Sequence, residues 1–391
     1  MRTALCALLL CPTRAVAQRH VAVGLEVEHA TAPLSVDVAL PRFSWWLSHP
    51  QRDQRQTSYR VVVKTLGAGG AVAWDSGTVA SNVTHVVYPA AGAAGLPSDT
   101  DFSWSVVWTD AKGALSQPTS STFSTALRGG PDWHGAEWVS SRGNGSLNLY
   151  RAVLPELGGE PPLRARLYIA GLGYYKSTIN GVQTDQHLLG PQSTFHARAL
   201  YDVWDVANLL HGGCNTLGVA VGNGWGASTH SHTKWDRQFI AMLSITSANG
   251  TISHFPTALA AGDGSLYFSA GSGPVTYDDV FDGEAYDGRV AAATKGWDRC
   301  HPPALVTATW EAAVKPTASP ANFGAELSAH TLQTIRLRDY SVATAGGVEQ
   351  PLPGVFVFNF DQNMAGIATL RVRGGCARGS VIRLRFGETL W

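Results

Sequence analysis

The stretch Leu167–Gly226 constrains the fold of this chain more than any other segment. Two short runs of β-type composition, Leu167–Ala170 and Thr216–Val221, enclose a segment rich in turn-forming residues. Asn180-Gly181 is placed as a two-residue hairpin turn, in which both residues need positive φ. Val203–Leu210 predicts one or two helical turns at most. The stretch therefore predicts part of an antiparallel β-sandwich.

The composition agrees with a β-rich fold. At 391 residues the chain is long enough for about two to four domains. Hydrophobic residues make up 45% and charged residues 15%, with 42 Gly and 20 Pro, which is typical of short strands joined by turns. The 29 basic and 29 acidic residues form no like-charged block, which argues against nucleic acid or a membrane as a partner.

Residues 1–17 have the pattern of a secretory signal peptide. Arg2 gives a minimal basic start, Ala4–Cys11 is an apolar run, and Ala15-Val16-Ala17 is a small-x-small cleavage site. The apolar run is far shorter than the ~20 residues that span a bilayer. We therefore predict cleavage near Gln18 and a secreted, extracellular protein. Three Asn-x-Ser/Thr triplets are N-glycosylation candidates: Asn82, Asn144 and Asn249.

Three cysteines remain after the leader: Cys214, Cys300 and Cys376. Because this number is odd, at most one disulfide forms among them and one thiol is left over. The sequence leaves the pairing open. Hydrophobic cores, and not a disulfide framework, must hold the fold together.

Two β-units follow the leader, with predicted boundaries at 21–127 and 132–315. In the first, Tyr59, Val61 and Val63 alternate with polar neighbours, as in a half-buried strand. No cysteine pair with a central Trp marks an immunoglobulin domain, so a fibronectin III-like sandwich is predicted. ALRGGP (126–131) is the predicted linker to the second unit, whose length suits a jelly-roll.

A third unit is predicted at 328–391. Leu370 and Val372 alternate with arginines, and a second alternating run contains Ile382, Leu384 and Phe386. A hairpin with one further strand cannot bury a core by itself. We therefore expect an incomplete third β-sandwich, which either packs on the second unit or continues in a longer protein.

Several enzyme classes lack their signatures in this sequence. No Gly-x-Ser-x-Gly elbow or phosphate loop occurs, and Gly171-Leu172-Gly173 precedes strand residues instead of a helix. His230 and His232 have no third ligand at a characteristic spacing, so a polar loop is the preferred interpretation.

Five carboxylates are concentrated in ten residues: Asp278, Asp279, Asp282, Glu284 and Asp287. A glycosidase needs two carboxyl groups across the scissile bond, which makes such a cluster a candidate. The neighbouring Gly283 and Gly288 instead favour a solvated turn or an oxygen-rich Ca²⁺ site. No residue is assigned a catalytic role.

A sugar-binding surface needs exposed rings beside fixed polar groups, because a pyranose has an apolar face and hydroxyls at its edge. The candidate carbohydrate-binding residues are Asn180, Asn223 and Trp225. Further candidate rings are Tyr174, Tyr175, Trp204 and Trp235. The alternative places most of these rings in the core and makes both asparagines turn residues.

Collinear motifs extend over all three units. They are LEVEHATAPLSVDVALPRFSWWL (25–47) and WDSG (74–77), then ARLYIAGLGYYKSTING, LYDVWDVANLL, NTLGVAVGNGW and DGEAYDGR, and finally FNFDQNMAGIATLRV and LRFGETL. Their order and wording resemble the α-L-rhamnosidases of glycoside hydrolase family 78. The similarity covers nearly everything after the leader.

This resemblance implies an all-β chain of tandem β-sandwiches: a fibronectin III-like domain, a galactose-binding-like jelly-roll and the start of a third β-sandwich. In the family an (α/α)₆ barrel follows and holds the active site. Its members remove terminal α-L-rhamnose with inversion, using two glutamates of the barrel. Nothing in this sequence resembles the barrel, so we expect the chain to support hydrolysis and to be inactive alone.

The resemblance also implies partners, namely rhamnose-containing glycans and the catalytic barrel of the full-length protein. It implies no cofactor for catalysis, whereas in some relatives the jelly-roll binds rhamnose through Ca²⁺. The sequence departs from the family at Pro191-Gln192-Ser193-Thr194, where many relatives have Pro-Gly-Trp-Thr, and this weakens the case for a stacking ring there. The alternative function is a stand-alone secreted lectin-like protein, which we would expect to end on a closed domain.

Overall fold

The structure is a computed structural model. It describes residues 19–67, 69–89, 95–143, 145–227, 235–261, 265–338, 347–360, 362–372 and 381–387. The predicted leader lies outside these residues. The chain divides into two compact units, and the smaller one consists of Gln186–Leu188 and the residues from Ile335 onward. Strands predominate in the described residues, which confirms the all-β prediction, and no described helix is long and apolar enough to cross a membrane.

The larger unit begins with a two-sheet sandwich. Its described strands, numbered in chain order, are β1 (Val21–Val27), β2 (Arg42–Ser48), β3 (Ser58–Thr65), β4 (Val72–Asp75), β5 (Val79–Ala80), β6 (His85–Val87), β7 (Asp101–Thr109) and β8 (Thr119–Ser124). One sheet has the order β1-β2-β6, and the other has the order β4-β3-β7-β8 with β5 also paired to β3. Tyr59, Val61 and Val63 are buried as the alternation predicts.

Residues 139–329 contribute the next strands. They are β9 (Val139–Ser140), β10 (Asn148–Val153), β11 (Arg164–Leu172), β12 (Tyr175–Ile179), β13 (Val182–Gln183), β14 (His187–Leu189), β15 (Arg198–Asp205), β16 (Thr216–Val221), β17 (Gln238–Thr246), β18 (Ile252–Ala258), β19 (Leu266–Tyr267), β20 (Ser269–Ser272), β21 (Val275–Asp279), β22 (Gly283–Tyr286), β23 (Glu311–Ala312) and β24 (Glu326–Ala329). A second sandwich forms from two sheets with the orders β13-β12-β16-β10-β20-β23 and β19-β18-β17-β11-β15-β24, with β9 also paired to β17.

The sheet that contains β11 and β17 is covered on both faces. One face packs on the other sheet around Leu167 and Phe239. The opposite face, which includes Tyr168 and Met242, packs against a second apolar cluster that contains Trp133. As a result, β11 and β17 are buried along almost their whole length. The alternation of apolar and polar residues that marks a half-buried strand is therefore absent from β11 and β17.

Residues 126–131 connect the two sandwiches, as predicted for a linker, but the first two of them are packed in a core. Ala126 and Leu127 are buried in the second apolar cluster. The Tyr201 hydroxyl donates a hydrogen bond of 2.6 Å to the Leu127 carbonyl. A 3₁₀ turn, Gly130–Trp133, follows and buries Trp133.

A polar junction also joins the two sandwiches. Asp99 and Asp101, at the start of β7, face Arg164 and Arg166, at the start of β11. Arg164 Nη1 lies 2.7 Å from Asp99 Oδ1, and its Nε lies 3.0 Å from Asp101 Oδ1. Arg166 Nη2 lies 3.1 Å from Asp101 Oδ2. All four side chains are largely buried.

The helical prediction for Val203–Leu210 is mostly wrong. Val203 continues β15 and pairs with Tyr168 of β11, so tertiary pairing overrides the local pattern. Only Ala207–Leu209 form a 3₁₀ turn. Two short helices, α1 (Gly288–Thr294) and α2 (Ala304–Thr309), and a 3₁₀ turn at Pro320–Phe323 lie outside the predicted elements.

One disulfide joins Cys214 to Cys300, which are 86 residues apart. This settles the pairing that the sequence left open. Cys376 lies outside the described residues. The bridge ties the loop before β16 to the segment between α1 and α2.

The smaller unit contains the small sheet of β14 and β25 (Ile335–Arg336) and a hairpin of β26 (Val348–Leu352) and β27 (Val355–Phe358). The predicted alternating strands after it are wrong for the residues that the structure describes. Leu370, Val372, Ile382, Leu384 and Phe386 are exposed there and belong to no strand. No neighbouring strand takes up their backbone groups within the described ranges, and alternation alone does not make a sheet.

Candidate functional site

The structure brings Asn223 and Trp225 together with the carboxylate-rich hairpin β21–β22. Both residues lie in the loop that follows β16. This loop lies so close to the residues after β11 that two glycines are needed. A Cβ on Gly173, whose φ is +112°, would lie 2.1 Å from the Gly222 carbonyl oxygen. A Cβ on Gly224, whose φ is +48°, would lie 2.6 Å from the Tyr174 backbone nitrogen.

Asn223 is fixed by three hydrogen bonds. Its backbone N–H donates to Asp278 Oδ2 at 2.9 Å, and its Nδ2 donates to the Asp278 carbonyl at 2.7 Å. Its Oδ1 accepts a 2.8 Å hydrogen bond from Arg237 Nη1. Arg237 also donates from Nη2 to the Gly143 carbonyl at 3.3 Å. The amide of Asn223 therefore orients the hairpin. The sequence does not predict the role of Arg237, because its hydrogen bond to Asn223 depends on the fold.

Asp278 is the half-buried carboxylate of this site. Its Oδ1 is enclosed by the protein and forms no hydrogen bond of good geometry. Burial raises the pKa of Asp278 above its ordinary value, although the Asn223 N–H, the Arg237 charge and the Ser146 side chain act to lower it.

Aromatic rings lie next to these polar groups. Trp225 is 38% exposed, and Phe281, at the tip of the hairpin, is 63% exposed. The two rings meet edge to face, with centroids 5.3 Å apart. Burial raises the pKa of Tyr174, and a hydrogen bond from the Trp225 side chain partly offsets this effect. We call Asn223, Trp225, Asp278 and Phe281 the hairpin patch.

Asn180 does not belong to the hairpin patch. It lies in the β12–β13 turn, where Asn180 and Gly181 have φ of 54° and 80°, as the two-residue turn predicts. Its Nδ2 donates to the Leu209 carbonyl at 3.0 Å and to Asn215 Oδ1 at 2.8 Å. Its Oδ1 accepts from the Thr216 N–H at 3.0 Å. Because Thr216 begins β16 and Asn223 follows its end, the two asparagines lie at opposite ends of that strand.

The other predicted rings are placed differently. Tyr175, Trp204 and Trp235 are buried. Tyr174 is partly exposed. Trp225 is thus the one ring of the predicted set that the described structure exposes substantially.

Two further carboxylates of the cluster, Asp279 and Asp287, serve local structure. Asp279 Oδ1 accepts from the Phe281 N–H at 2.9 Å, which stabilises the hairpin turn. Asp287 caps α1 by accepting from the Arg289 N–H at 2.9 Å. The Arg289 side chain pairs with the same carboxylate and holds the pKa of Asp287 at about 2.

The described residues do not form a Ca²⁺ shell at the hairpin patch. Ca²⁺ takes six to eight oxygen ligands. Here the Arg237 guanidinium already donates to Asn223 Oδ1 and to the Gly143 carbonyl, so these two oxygens are engaged by a cation of the protein itself. Ca²⁺ dependence therefore stays a prediction from the resemblance.

Two of the three glycosylation candidates are described. Asn82 is exposed between β5 and β6, and Asn249 is exposed in the turn between β17 and β18. Asn144, together with His230 and His232, lies outside the described residues.

Two family models match the chain. Residues 22–129 match a Rha78A-like N-terminal immunoglobulin domain, and residues 160–339 match an α-L-rhamnosidase N-terminal domain. The chain carries the N-terminal domains of family 78 α-L-rhamnosidases. The first rhamnosidase domain is thus described as immunoglobulin-like where the sequence predicted a fibronectin III-like one, and both are two-sheet sandwiches.

Relatives and solved structures agree with this family. An α-L-rhamnosidase of Streptomyces avermitilis is 31% identical over 233 residues, which is 58% of this chain and 21% of the relative. One from Formosa agariphila is 24% identical over 380 residues, which is 87% of this chain and 38% of the relative. The α-L-rhamnosidase structure from Dictyoglumus thermophilum matches with a TM-score of 0.74 at 28% identity, covering 88% of this chain and 39% of that one. The chain thus spans well under half the length of these rhamnosidases.

Proposed function

We propose that this chain is the N-terminal, non-catalytic portion of a secreted α-L-rhamnosidase. In this proposal a catalytic (α/α)₆ barrel, contributed by the rest of the full-length protein, hydrolyses terminal α-L-rhamnose of glycans or glycosides. The chain supports the barrel and presents the substrate. The observation that carries the proposal is the match of 88% of the chain to only 39% of a rhamnosidase structure.

The described structure supports inactivity of the chain alone. The α-helices in the described residues, α1 and α2, have seven and six residues. An α/α barrel needs many longer helices. We expect the purified chain to release no product from an aryl α-L-rhamnoside, measured by absorbance. Turnover that co-purifies with the chain and survives repeated chromatography would contradict the proposal.

The hairpin patch supports a role in presenting the sugar. Trp225 offers an exposed ring for the apolar face of a pyranose. The half-buried Asp278 carboxylate offers an acceptor for a hydroxyl. Asn223 holds this acceptor in place through two hydrogen bonds to Asp278. Rhamnose has both an apolar face, extended by its methyl group, and hydroxyls.

Binding can be tested without any barrel. Calorimetric titration of the chain with a rhamnose-terminated oligosaccharide should show binding that Trp225→Ala weakens about tenfold or more. Trp46→Ala is the matched control, because Trp46 is a 66% exposed ring on β2 of the other sandwich. If Trp225→Ala and Trp46→Ala bind the oligosaccharide equally well, the hairpin patch is not the binding site. Repeating the titration with a Ca²⁺ chelator tests the expected Ca²⁺ dependence.

The alternative, a stand-alone secreted lectin-like protein, is supported by the same patch, because binding there needs no barrel residue. The two proposals predict different coding sequences downstream of residue 391. A continuation beyond residue 391 that encodes long helices supports the rhamnosidase portion, and a stop codon there supports the lectin.

Secretion and glycosylation belong to the proposal as well. Expression with the leader in a eukaryotic secretory host should place the chain in the medium with residues 1–17 removed, as N-terminal sequencing would show. A peptide N-glycosidase should lower its mass, and Asn82→Gln or Asn249→Gln should each remove part of that change. Retention inside the cell would count against secretion.

A further inference from the structure

Three segments that are distant in the sequence meet at one end of the first sandwich. His20 lies directly before β1, His49 directly after β2, and Asp110 directly after β7. Each offers one ligand atom, and these atoms all lie within 4.8 Å of one another. Neither the sequence motifs nor the rhamnosidase comparisons account for this cluster.

The distance between the His49 and Asp110 ligand atoms suits a small metal ion. His49 Nε2 lies 3.5 Å from Asp110 Oδ2. Two ligands of a tetrahedral ion with bonds of about 2.0–2.2 Å are roughly 3.4 Å apart. The His20 and His49 rings lie 4.6 Å apart with an interplanar angle of 66°, so they are not stacked on each other.

Asp110 is oriented as a ligand. Its Oδ1 accepts hydrogen bonds from the N–H groups of Lys112 and Ala114, at 2.8 and 2.9 Å. These bonds hold the carboxylate of a nearly buried residue, with Oδ2 directed to His49. Such outer partners are what fix a metal ligand in position.

The two histidines are also suited to bind a metal. His20 Nε2 is buried and has no hydrogen-bond partner, which leaves a lone donor or acceptor that the protein itself does not satisfy. In this structure His49 Nδ1 accepts a 2.9 Å hydrogen bond from the Gln51 N–H. Binding of an ion at Nε2 would move the ring proton to Nδ1 and exchange this bond for one to the Gln51 carbonyl, which lies 3.3 Å from Nδ1.

We propose that one ring nitrogen of His20, one ring nitrogen of His49 and Asp110 Oδ2 bind one divalent transition-metal ion of the Zn²⁺ type. Two imidazoles and a carboxylate are a ligand set that Zn²⁺ accepts, with the fourth position left for water. The ion would connect the segment before β1 to the ends of β2 and β7. Its role would be to stabilise this end of the sandwich.

The test is a Zn²⁺ titration of the full chain, purified without a histidine tag and treated first with a chelator. His20→Phe removes a ligand and keeps an aromatic ring beside Trp108, which His20 contacts at 4.4 Å. Asp110→Asn keeps an oxygen for the two N–H groups and replaces the other oxygen with an amide nitrogen. His85→Ala is the control, because His85 is exposed on β6 of the same sandwich.

Wild type and His85→Ala should bind one Zn²⁺ more than either ligand variant in calorimetry. Saturating Zn²⁺ should raise their Tm by on the order of 5–10 °C, and this shift should be lost in both ligand variants. With Co²⁺ as the probe, only wild type and the control should show the strong visible absorption of a four-coordinate site. Wild type that binds no Zn²⁺, or a folded ligand variant that binds as many ions as wild type, would overturn the proposal.

Discussion

The chain contains two concentrations of carboxylates, and the structure uses them in opposite ways. At the junction of the sandwiches, Asp99 and Asp101 have partners on all four carboxylate oxygens: Arg164, Arg166, Tyr168, Ser124, Ser244 and His254. At the hairpin patch, Asp278 keeps a buried Oδ1 without a partner. The junction pairs every carboxylate oxygen, although Arg164 Nε and Nη2 and Arg166 Nε form no hydrogen bond of good geometry, whereas the patch leaves one buried carboxylate oxygen unpaired.

This difference shows how the two acidic regions can be distinguished. The density of acidic residues in the sequence marks the hairpin as a candidate site, whereas no sequence pattern marks Asp99 and Asp101. Both regions are polar and partly buried, so neither charge nor burial separates them. What separates them is whether each oxygen is satisfied within the protein.

The largest effect is expected from Asp101→Ala at the junction. The change leaves Arg164 and Arg166 largely buried with less countercharge, which should destabilise the chain by about 3 kcal/mol. The urea midpoint measures it. Asp75→Ala is the control, since Asp75 pairs with Arg60 at an exposed position. Similar midpoints for the two variants would show that the junction is not a structural cluster.

A smaller effect is expected from Tyr168→Phe. The Tyr168 hydroxyl donates to Asp99 Oδ1, and its loss should cost about 1–1.5 kcal/mol in thermal or urea unfolding. Tyr277→Phe makes the same chemical change at the hairpin, where the hydroxyl lies 3.3 Å from Asp282 Oδ2 in an exposed position. We expect no measurable change there. A larger loss for Tyr277→Phe would reverse the comparison.

The smallest effect is expected from Asp278→Asn, and it depends on pH. Burial raises the pKa of Asp278, so the folded state binds the proton more tightly than the unfolded state. Wild type therefore loses stability as the pH rises from about 3.9 through the raised pKa. Asn stays neutral, so the variant should gain stability relative to wild type between pH 3 and pH 7, by less than about 1 kcal/mol. A difference between the two proteins that does not change with pH would contradict this account.

Local patterns were enough for much of the fold. The alternation of Tyr59, Val61 and Val63 identified β3, because one of its faces is buried and the other is solvated. Asn180-Gly181 identified the β12–β13 turn, because few residues adopt positive φ there. The continuous burial of β11 and β17 could not be read in this way. It arises because the second apolar cluster covers the other face of this sheet. Members of that cluster, such as Trp133, come from other parts of the chain.

The candidate site was predictable only in part. Asn180-Gly181 and Asn223-Gly224 are the same dipeptide, yet the Asn180 amide bonds to the distant segment 209–216 while Asn223 holds Asp278. Arg237, which donates to the Asn223 amide, follows Asn223 by 14 residues, and no local spacing rule joins them. Sugar binding at Asn180, Asn223 and Trp225 stays a prediction that the titrations test.

The packed connection at residues 126–131 has a practical consequence for dissecting the protein. Cutting the polypeptide there would strip Ala126 and Leu127 from an apolar surface and uncover the rings of Trp133 and Tyr201 on one fragment. Either half expressed separately would expose this apolar surface to solvent and tend to aggregate. Experiments that assign a ligand to one half should therefore rely on point substitutions in the intact chain.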